Sequence, residues 1–203
     1  MKTKISLIAL GLGLLFTLAC TKYPPSTDRL LEDLAVLTQY DTKADFGSYK
    51  YYVVATSIKK ITDKDTTDIT NADAQTILGE ISNQMKQRGY LPAPSGTKAD
   101  LGLSVMYFQN TYVYTYSYNY WGYYYPYYTY YPYYPTYYTS YTAGMLLIEM
   151  QDLKNYNPTT QKVYIRWDAF IRGLMTGTHT NSDLVASVDQ AFIQTPQIQA
   201  SGK

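Results

Sequence analysis

The chain has 203 residues, with 17 basic and 16 acidic side chains, one His, one Cys and a formal net charge of +1 at pH 7. This length fits one domain of ordinary size. The balanced charge leaves no basic surface for a phosphate backbone, so we expect no nucleic-acid partner. One Cys and one His exclude an intrachain disulfide and a metal site of three or four Cys and His ligands, and we expect no metal and no other cofactor.

The amino terminus has the pattern of an export signal. Two lysines precede an uncharged apolar run over residues 5–19, which is short for a membrane span. The run ends at Ala19-Cys20, which resembles the lipobox of a bacterial lipoprotein, although the two positions before Ala19 depart from the common pattern. We interpret residues 1–19 as a lipoprotein signal peptide and Cys20 as the lipid-attachment site. An ordinary secretion signal and an uncleaved anchor are the alternatives.

Acylation of Cys20, by palmitate or a similar chain, predicts attachment to a membrane. At about 0.8 kcal/mol per buried methylene, two or three acyl chains hold a protein on a bilayer without a transmembrane helix. Residues 20–33 include Pro24-Pro25 and are interpreted as a tether. No Asp follows Cys20 directly. We therefore expect an outer-membrane location facing the periplasm.

Residues 34–203 are predicted to form a single α+β domain. Alternating apolar side chains predict strands near residues 34–40, from 100 to beyond 112 and over 163–172, with a short helix opened by Leu30, Leu31 and Leu34 as the alternative for the first. A run of β-favouring residues predicts a strand over 49–55, and residues 144–152 are predicted to form a hairpin with 163–172. Residues 61–68 carry three aspartates and are interpreted as a solvated loop, in preference to a calcium loop.

Two helices are predicted from apolar residues at offsets of three and four. The first covers residues 72–88, with Thr70 and Asp73 resembling a capping box, and the second begins at a cap on Asn181 or Ser182. We expect a mixed or antiparallel sheet of about five strands with both helices packed on one face.

The last predicted strand has one apolar and one polar face. Its odd-numbered residues are apolar from Val163 to Ile171, which predicts that they are buried. The other face carries Arg166, Asp168 and Arg172, and we expect it to be solvated.

A Tyr-rich insert occupies residues 112–141. It holds 17 of the 26 tyrosines, and no charged residue lies between Asp100 and Glu149. The candidate ligand-binding residues are the aromatic side chains at its start, most of them two residues apart: Tyr112, Tyr114, Tyr116, Tyr118, Tyr120 and Trp121.

Tyrosine offers a flat apolar ring and a hydroxyl group, which suits contact with sugars, aromatic groups or lipid headgroups. Four interpretations of the insert remain open. It is a low-complexity connection without a ligand, a polysaccharide or peptidoglycan contact, a contact with a protein partner or a second copy, or a membrane-interface segment.

The signs of catalysis are few. Glu149, Asp152 and Asp168 lie on adjacent predicted strands, where a carboxylate-dependent hydrolase would place its acids. Ion pairs with Arg166 and Arg172 explain the same residues more simply. The lone His179 is expected to be a surface residue, and we assign no catalytic residue.

The chain resembles the bacterial envelope lipoproteins grouped as domain of unknown function 4136. The resemblance rests on short motifs spread over most of the chain: Asp41, Asp45-Phe46, Tyr49-Lys50, Arg88-Gly89-Tyr90, Lys98-Ala99-Asp100-Leu101, Trp167, Gly173 and Val188-Asp189-Gln190-Ala191-Phe192. It implies a small secreted α+β module without assigned catalysis.

The sequence therefore predicts a non-enzymatic, lipid-anchored envelope protein that binds a polysaccharide, peptidoglycan or a protein through its Tyr-rich insert. The alternatives are a purely structural envelope lipoprotein with a dispensable insert, and a hydrolase using Glu149 and Asp168.

Overall fold

The computed structural model describes residues 34–109, 144–156, 163–175 and 179–202, and the backbone alone of 112–113, 131–132, 140–141, 157 and 162. The predicted signal peptide, Cys20 and the tether lie outside these residues.

The strands and the helices are numbered separately, each in chain order. The strands are β1 (Ala35–Tyr40), β2 (Tyr51–Val54), β3 (Ile58–Ile61), β4 (Thr66–Ile69), β5 (Leu91–Pro92), β6 (Leu101–Phe108), β7 (Tyr112–Val113), β8 (Tyr131–Pro132), β9 (Ser140–Tyr141), β10 (Met145–Asn157) and β11 (Lys162–Arg172). Helix α1 (Ala72–Gln87) lies between β4 and β5, helix α2 (Asn181–Ile193) follows β11, and a 3-10 turn covers Phe46–Ser48.

Within the described residues, nine strands form one mixed sheet, whose main path runs β1-β11-β10-β6-β2-β5. The pairs β1/β11, β11/β10 and β10/β6 are antiparallel, whereas β2 and β3 both pair parallel with β6. Strand β4 pairs with β3, and β8 pairs parallel with the start of β11. The class is the predicted α+β, but the sheet has more strands than the five expected.

Both helices pack on the same face of the sheet. Their apolar stripes meet alternate residues of the central strands in one buried cluster, which includes Ile77, Ile81, Val188, Leu103 and Ile148. Trp167 and Phe192 join β11 to α2 at a ring-centroid distance of 4.7 Å. Burying side chains of this size contributes about 1.5–3 kcal/mol each, which makes this face the main source of stability. No helix among the described residues combines the length and apolarity needed to cross a membrane.

The helix boundaries follow the apolar periodicity, but the caps differ by one or two residues from the prediction. The side chain of Asn71, not Thr70, accepts a hydrogen bond from the Ala74 amide. Thr180, not Asn181 or Ser182, caps α2 in a reciprocal capping box with Asp183. A short polar side chain fits a cap only where the backbone is extended, and that condition selects Asn71 and Thr180.

The segment over residues 61–68 was wrongly predicted as a solvated loop throughout. Its ends belong to β3 and β4, which pair antiparallel from Ile58↔Ile69 to Ile61↔Thr66. Only the turn between them is loop, where Thr62 and Asp65 hydrogen-bond to each other. A hairpin this short, with charged side chains on it, has too few apolar residues to produce a recognisable alternation. Strand β6 also ends at Phe108 and does not continue beyond Tyr112.

The capping box at α2 provides a test of the fold. We expect Thr180→Ala to lower the free energy of unfolding by about 1 kcal/mol, because it removes the oxygen that accepts from the Asp183 amide. Thr180→Ser keeps this oxygen and should cost much less. Urea denaturation of both variants measures the difference, and equal losses would contradict the cap assignment.

Candidate functional site

The helices cover one face of the sheet, and we call the opposite face the second face. Two acidic side chains are neighbours on this second face. Glu149 on β10 pairs directly with Asp168 on β11. Their chain neighbours Ile148, Met150, Trp167 and Ala169 all belong to the core beneath the helices. Because side chains alternate along a strand, Glu149 and Asp168 must point to the second face.

The pair belongs to a polar row across four strands. Gln39 on β1 is the register partner of Asp168, and Ser104 on β6 is the register partner of Glu149. We call Gln39, Asp168, Glu149 and Ser104 the carboxyl row. Directly opposed residues have Cβ atoms about 4.5–5.5 Å apart, so each side chain lies within reach of the next.

Side-chain amides donate to both acids. Gln39 Nε2 donates to Asp168 Oδ2 at 3.0 Å, and Gln151 Nε2 donates to Glu149 Oε2 at 3.1 Å. Gln151 also lies 3.0 Å from the Ser104 hydroxyl. In contrast, the buried Asp168 Oδ1 has no hydrogen-bond partner among the residues that the structure describes.

Burial gives the pair its unusual electrostatics. Glu149 is 2% exposed and Asp168 is 4% exposed. Loss of hydration, followed by the charge of Glu149, raises the pKa of Asp168 well above its ordinary value of 3.8, and the hydrogen bond from Gln39 only partly opposes this shift. Two adjacent buried carboxyls resist double ionisation, because each negative charge disfavours the other.

An apolar row borders the carboxyl row on the second face. Leu37, Phe170, Leu147 and Met106 are successive register partners across the same four strands. Leu147 and Met106 are buried, whereas Leu37 on the edge strand is 67% exposed. Gln39, also on β1, is exposed. The two acids therefore lie on the second and third strands from this exposed edge of the sheet.

A second polar cluster lies on the helix side, at the far end of β10. Arg166 Nη2 contacts Asp152 Oδ2 at 2.7 Å, and Arg166 Nη1 contacts Asp41 Oδ2 at 2.6 Å. The Tyr49 hydroxyl donates to Asp152 Oδ2 at 2.8 Å, and Asn155 donates to both Asp152 oxygens. We call Asp41, Tyr49, Asp152, Asn155 and Arg166 the Arg166 network.

The Arg166 network reverses the effect of burial on its acid. Loss of hydration acts to raise the pKa of Asp152, but hydrogen bonds from Asn155, Arg166 and Tyr49 outweigh it and hold the pKa below 3.8. Loss of hydration, reinforced by the bond to Asp152, raises the pKa of the Tyr49 hydroxyl, which stays protonated and donates. The cluster is a fully bonded structural site.

A β-bulge at Arg166 corrects the prediction for β11. Met150 pairs with Trp167, but the next residue, Gln151, pairs with Ile165, so Arg166 is the extra residue. The regular alternation predicted from Val163 to Ile171 is therefore broken at this point. Arg166 contacts Asp41 and Asp152 and does not pair with Asp168. The prediction that Asp168 is solvated was wrong, because its side chain is buried.

The structure brings together two of the three acids that the sequence singled out. Glu149 and Asp168 are direct partners on the second face, whereas Asp152 lies on the helix side in the Arg166 network. Sequence reasoning missed Gln39, Gln151 and Ser104, since uncharged polar residues on alternating strands give no distinct signal. His179 is half-buried just before α2.

The predicted binding residues fall almost wholly outside the described part of the chain. Of Tyr112, only the backbone is described, in β7, which pairs with β9 through Tyr112↔Tyr141. Tyr114, Tyr116, Tyr118, Tyr120 and Trp121 lie outside the described residues, as does Cys20.

The fold and the sequence together define a small α+β module of a recognised bacterial family. The family model of domain of unknown function 4136 (DUF4136) matches residues 36–197. The chain therefore belongs to the DUF4136 family. This confirms the family suggested by the sequence motifs.

A solved structure of the same family is similar to this chain. The crystal structure of a DUF4136 family protein from Bacteroides thetaiotaomicron has 28% sequence identity and a TM-score of 0.66, over 82% of this chain and 97% of that one. A PDZ domain protein from Parabacteroides distasonis has 14% identity and a TM-score of 0.44, over 81% of this chain and 36% of that one. No functionally curated protein matches the chain.

The Arg166 network predicts a strong asymmetry between two substitutions. We expect Arg166→Met to lower the free energy of unfolding by about 3–5 kcal/mol, because the buried Asp152 carboxylate loses its charge partner. Arg166→Lys keeps a positive charge but not the planar fork that reaches both acids, so its loss should be smaller.

Urea denaturation of both variants tests this asymmetry. Arg172→Met, on the same strand, is the matched control because the described ion pairs of Asp152 do not involve Arg172. A loss for Arg166→Met no larger than that of the control would contradict the structural role of the network.

Proposed function

We propose that this DUF4136 protein is a non-enzymatic, lipid-anchored module of the cell envelope that makes contacts through its Tyr-rich insert. The contact is with a polysaccharide, with peptidoglycan or with a protein. The anchor is Cys20, and the location is the outer membrane, facing the periplasm. The candidate contact residues are the aromatic side chains at the start of the insert: Tyr112, Tyr114, Tyr116, Tyr118, Tyr120 and Trp121.

The position of the insert in the sheet carries this proposal. Strand β6 leads into the insert and β10 follows it, and their adjoining ends are paired at Met145↔Phe108. The short pair β7/β9 adds a second closure just beyond this point. Residues 114–139 are thus inserted between two strands that are already adjacent. The sheet needs only a short turn here, so a 30-residue aromatic segment is more than the fold requires.

Composition supports contact over connection. An insert that only joined two strands would be expected to carry the usual mixture of polar and charged residues. This one is uncharged and dominated by tyrosine, a residue that stacks on sugars and other rings while its hydroxyl hydrogen-bonds. An uncharged surface of this kind binds neutral polymers in a way that depends little on salt.

The burial of the acids supports a non-enzymatic role. A carboxylate-dependent hydrolase needs both acids in contact with the scissile bond. Glu149 and Asp168 are 2% and 4% exposed, and amide donors occupy one oxygen of each. The rival hydrolase function therefore has less physical support than the binding function.

The lipid anchor is tested by Cys20→Ala in the producing cell. We expect this variant to move from the membrane fraction to the soluble fraction and to lose incorporation of labelled palmitate, because the thiol is the only acylation site of its kind in the chain. Ser26→Ala, in the predicted tether, is the control and should stay with the membrane. Unchanged membrane association of Cys20→Ala would refute the anchor.

The contact surface is tested by co-sedimentation with purified peptidoglycan and envelope polysaccharide. We compare the soluble chain beginning at Thr21 with the same chain in which a short Gly-Ser turn replaces residues 114–139. This change removes β8 and every candidate contact residue except Tyr112, and it leaves β7 and β9 in place. We expect the intact chain to sediment with one polymer and the deleted chain to remain in solution. Circular dichroism and thermal unfolding must first show that both are folded.

A matched pair of variants separates the ring from the hydroxyl. Replacement of Tyr114, Tyr116, Tyr118 and Tyr120 by Phe keeps the stacking faces, whereas replacement by Ser removes them. If stacking carries the contact, the Phe variant should sediment and the Ser variant should not. Sedimentation of both the Ser variant and the deleted chain would disprove a polymer contact through the insert. If the intact chain itself sediments with neither polymer, a polymer ligand is excluded, and a protein partner is the remaining form of the proposed contact.

A further inference from the structure

We propose that Glu149 and Asp168 form a proton-binding site, in which the two buried carboxyls share one proton and carry a single negative charge. This inference does not depend on the proposed contact function. It concerns the domain itself, which would take up a proton when it folds.

The first argument is the register. Glu149 and Asp168 are exact cross-strand partners in the centre of an antiparallel pair, on the same face of the sheet. Side chains in this relation cannot turn away from each other without breaking the alternation of their strands. The backbone therefore holds the two acids together.

The second argument is the set of groups around Asp168. On β1 its neighbour is Gln39, which donates one amide hydrogen to Oδ2. On β10 its neighbours are Glu149 and, next along the face, Gln151, and on β6 the row ends at Ser104. None of the described lysines or arginines forms an ion pair with Asp168.

Other charged groups on the second face have different positions. Arg172 is four residues further along β11, and Lys59 on β3 is the partner of Met106 and is paired with Asp68. Neither lies in the carboxyl row. A proton is thus the simplest positive charge that relieves the repulsion between the two acids.

The third argument identifies the oxygen that takes the proton. Asp168 Oδ1 is buried and accepts no hydrogen bond, whereas Oδ2 accepts from Gln39. A buried carboxylate oxygen without a donor is costly, but a protonated one becomes a donor itself. Glu149, the direct cross-strand partner of Asp168, is the neighbouring carboxyl that would accept from this proton.

The sign of the linkage follows from these positions. Burial and the charge of Glu149 raise the pKa of Asp168 in the folded chain. The unfolded chain releases the proton at the ordinary pKa, so the contribution of Asp168 to stability is complete below that pKa. It is lost as the pH rises through the folded pKa.

Infrared difference spectroscopy tests the site without relying on stability. The full chain in detergent micelles is titrated from about pH 4 to about pH 8, and the carbonyl stretch of protonated carboxylic acids is followed. We expect a band that persists at about pH 6 in the wild type and is absent in Asp168→Asn. Asp68→Asn is the control, since the pKa of this exposed acid is lowered by its hydrogen bonds to Lys59 and Ser57 and it is already ionised.

Glu149→Gln distinguishes a shared proton from burial alone. Removing the neighbouring charge should lower the midpoint of the Asp168 band by about one pH unit or more. Absence of the band at about pH 6 in the wild type, or its persistence in Asp168→Asn, would overturn the site. An unshifted midpoint in Glu149→Gln would show that the proton is not shared.

Discussion

The contact of Arg166 with Asp152 and Asp41 is the interaction on which the arrangement of the sheet depends. It joins three parts of the chain, since Asp41 follows β1, Asp152 lies on β10 and Arg166 lies on β11. The Tyr49 hydroxyl adds the segment before β2 to the same carboxylate. A buried ion is costly unless its partners satisfy it fully, and here the Arg166 network draws its members from three separate parts of the chain besides the strand of Asp152. The network therefore stabilises only this packing of the elements.

The β-bulge is what makes the network possible. Without the extra residue, β11 would keep its alternation and Arg166 would point to the second face, beside Asp168. The bulge turns its guanidinium to the helix side, where Asp152 is enclosed. The same local irregularity thus supplies Asp152 with a cation, whereas no ion pair within the described part of the chain involves Asp168. The two polar sites of the sheet are consequences of a single insertion in one strand.

Asp152 and Asp168 show how far the donors around a buried acid decide its chemistry. Both side chains are almost fully enclosed, at 0% and 4% exposure. Asp152 accepts hydrogen bonds from Asn155, Arg166 and Tyr49, and its pKa is lowered in spite of burial. Among the described residues, Asp168 accepts only from Gln39 and is the cross-strand partner of Glu149, and its pKa is raised. Burial alone would raise the pKa of both acids, so the lowered pKa of Asp152 is the work of its hydrogen-bond donors.

Sequence periodicity predicted the elements that have a long apolar stripe. The two helices follow from apolar residues three and four apart, and β6 and β11 follow from alternation. Strand β2 was predicted from β-favouring residues and β10 as the hairpin partner of β11, whereas β1 was predicted with a short helix as its alternative. The short strands β3, β4 and β5 have two to four residues each, too few to establish a period. The sheet was therefore predicted with the right class and too few strands.

The candidate site was harder to predict than the fold. Glu149 and Asp168 were recognised as acids on neighbouring strands, but their pairing depends on a register that composition does not determine. The bulge, which moves Arg166 away from Asp168, has no signature in a sequence of alternating residues. Gln39 and Gln151 complete the site through hydrogen bonds that their side-chain amides donate. In the sequence, these two residues do not differ from any other uncharged polar residue on a predicted strand.

The insert lies between two strands whose own pairing and core contacts stabilise the domain. β6 and β10 are joined by consecutive register pairs from Met145↔Phe108 to Asp152↔Leu101, and their helix-side residues belong to the core. Lengthening a connection between such strands is cheap, because each doubling of a loop costs only about 0.6 kcal/mol in closure entropy. Among the described residues, the insert is tied to the rest of the fold by the pairing of β8 with β11, and its two ends are joined by the pairing of β7 with β9. A loop closure of this kind does not require 17 tyrosines and no charge, and this composition is the observation on which the proposed contact function rests.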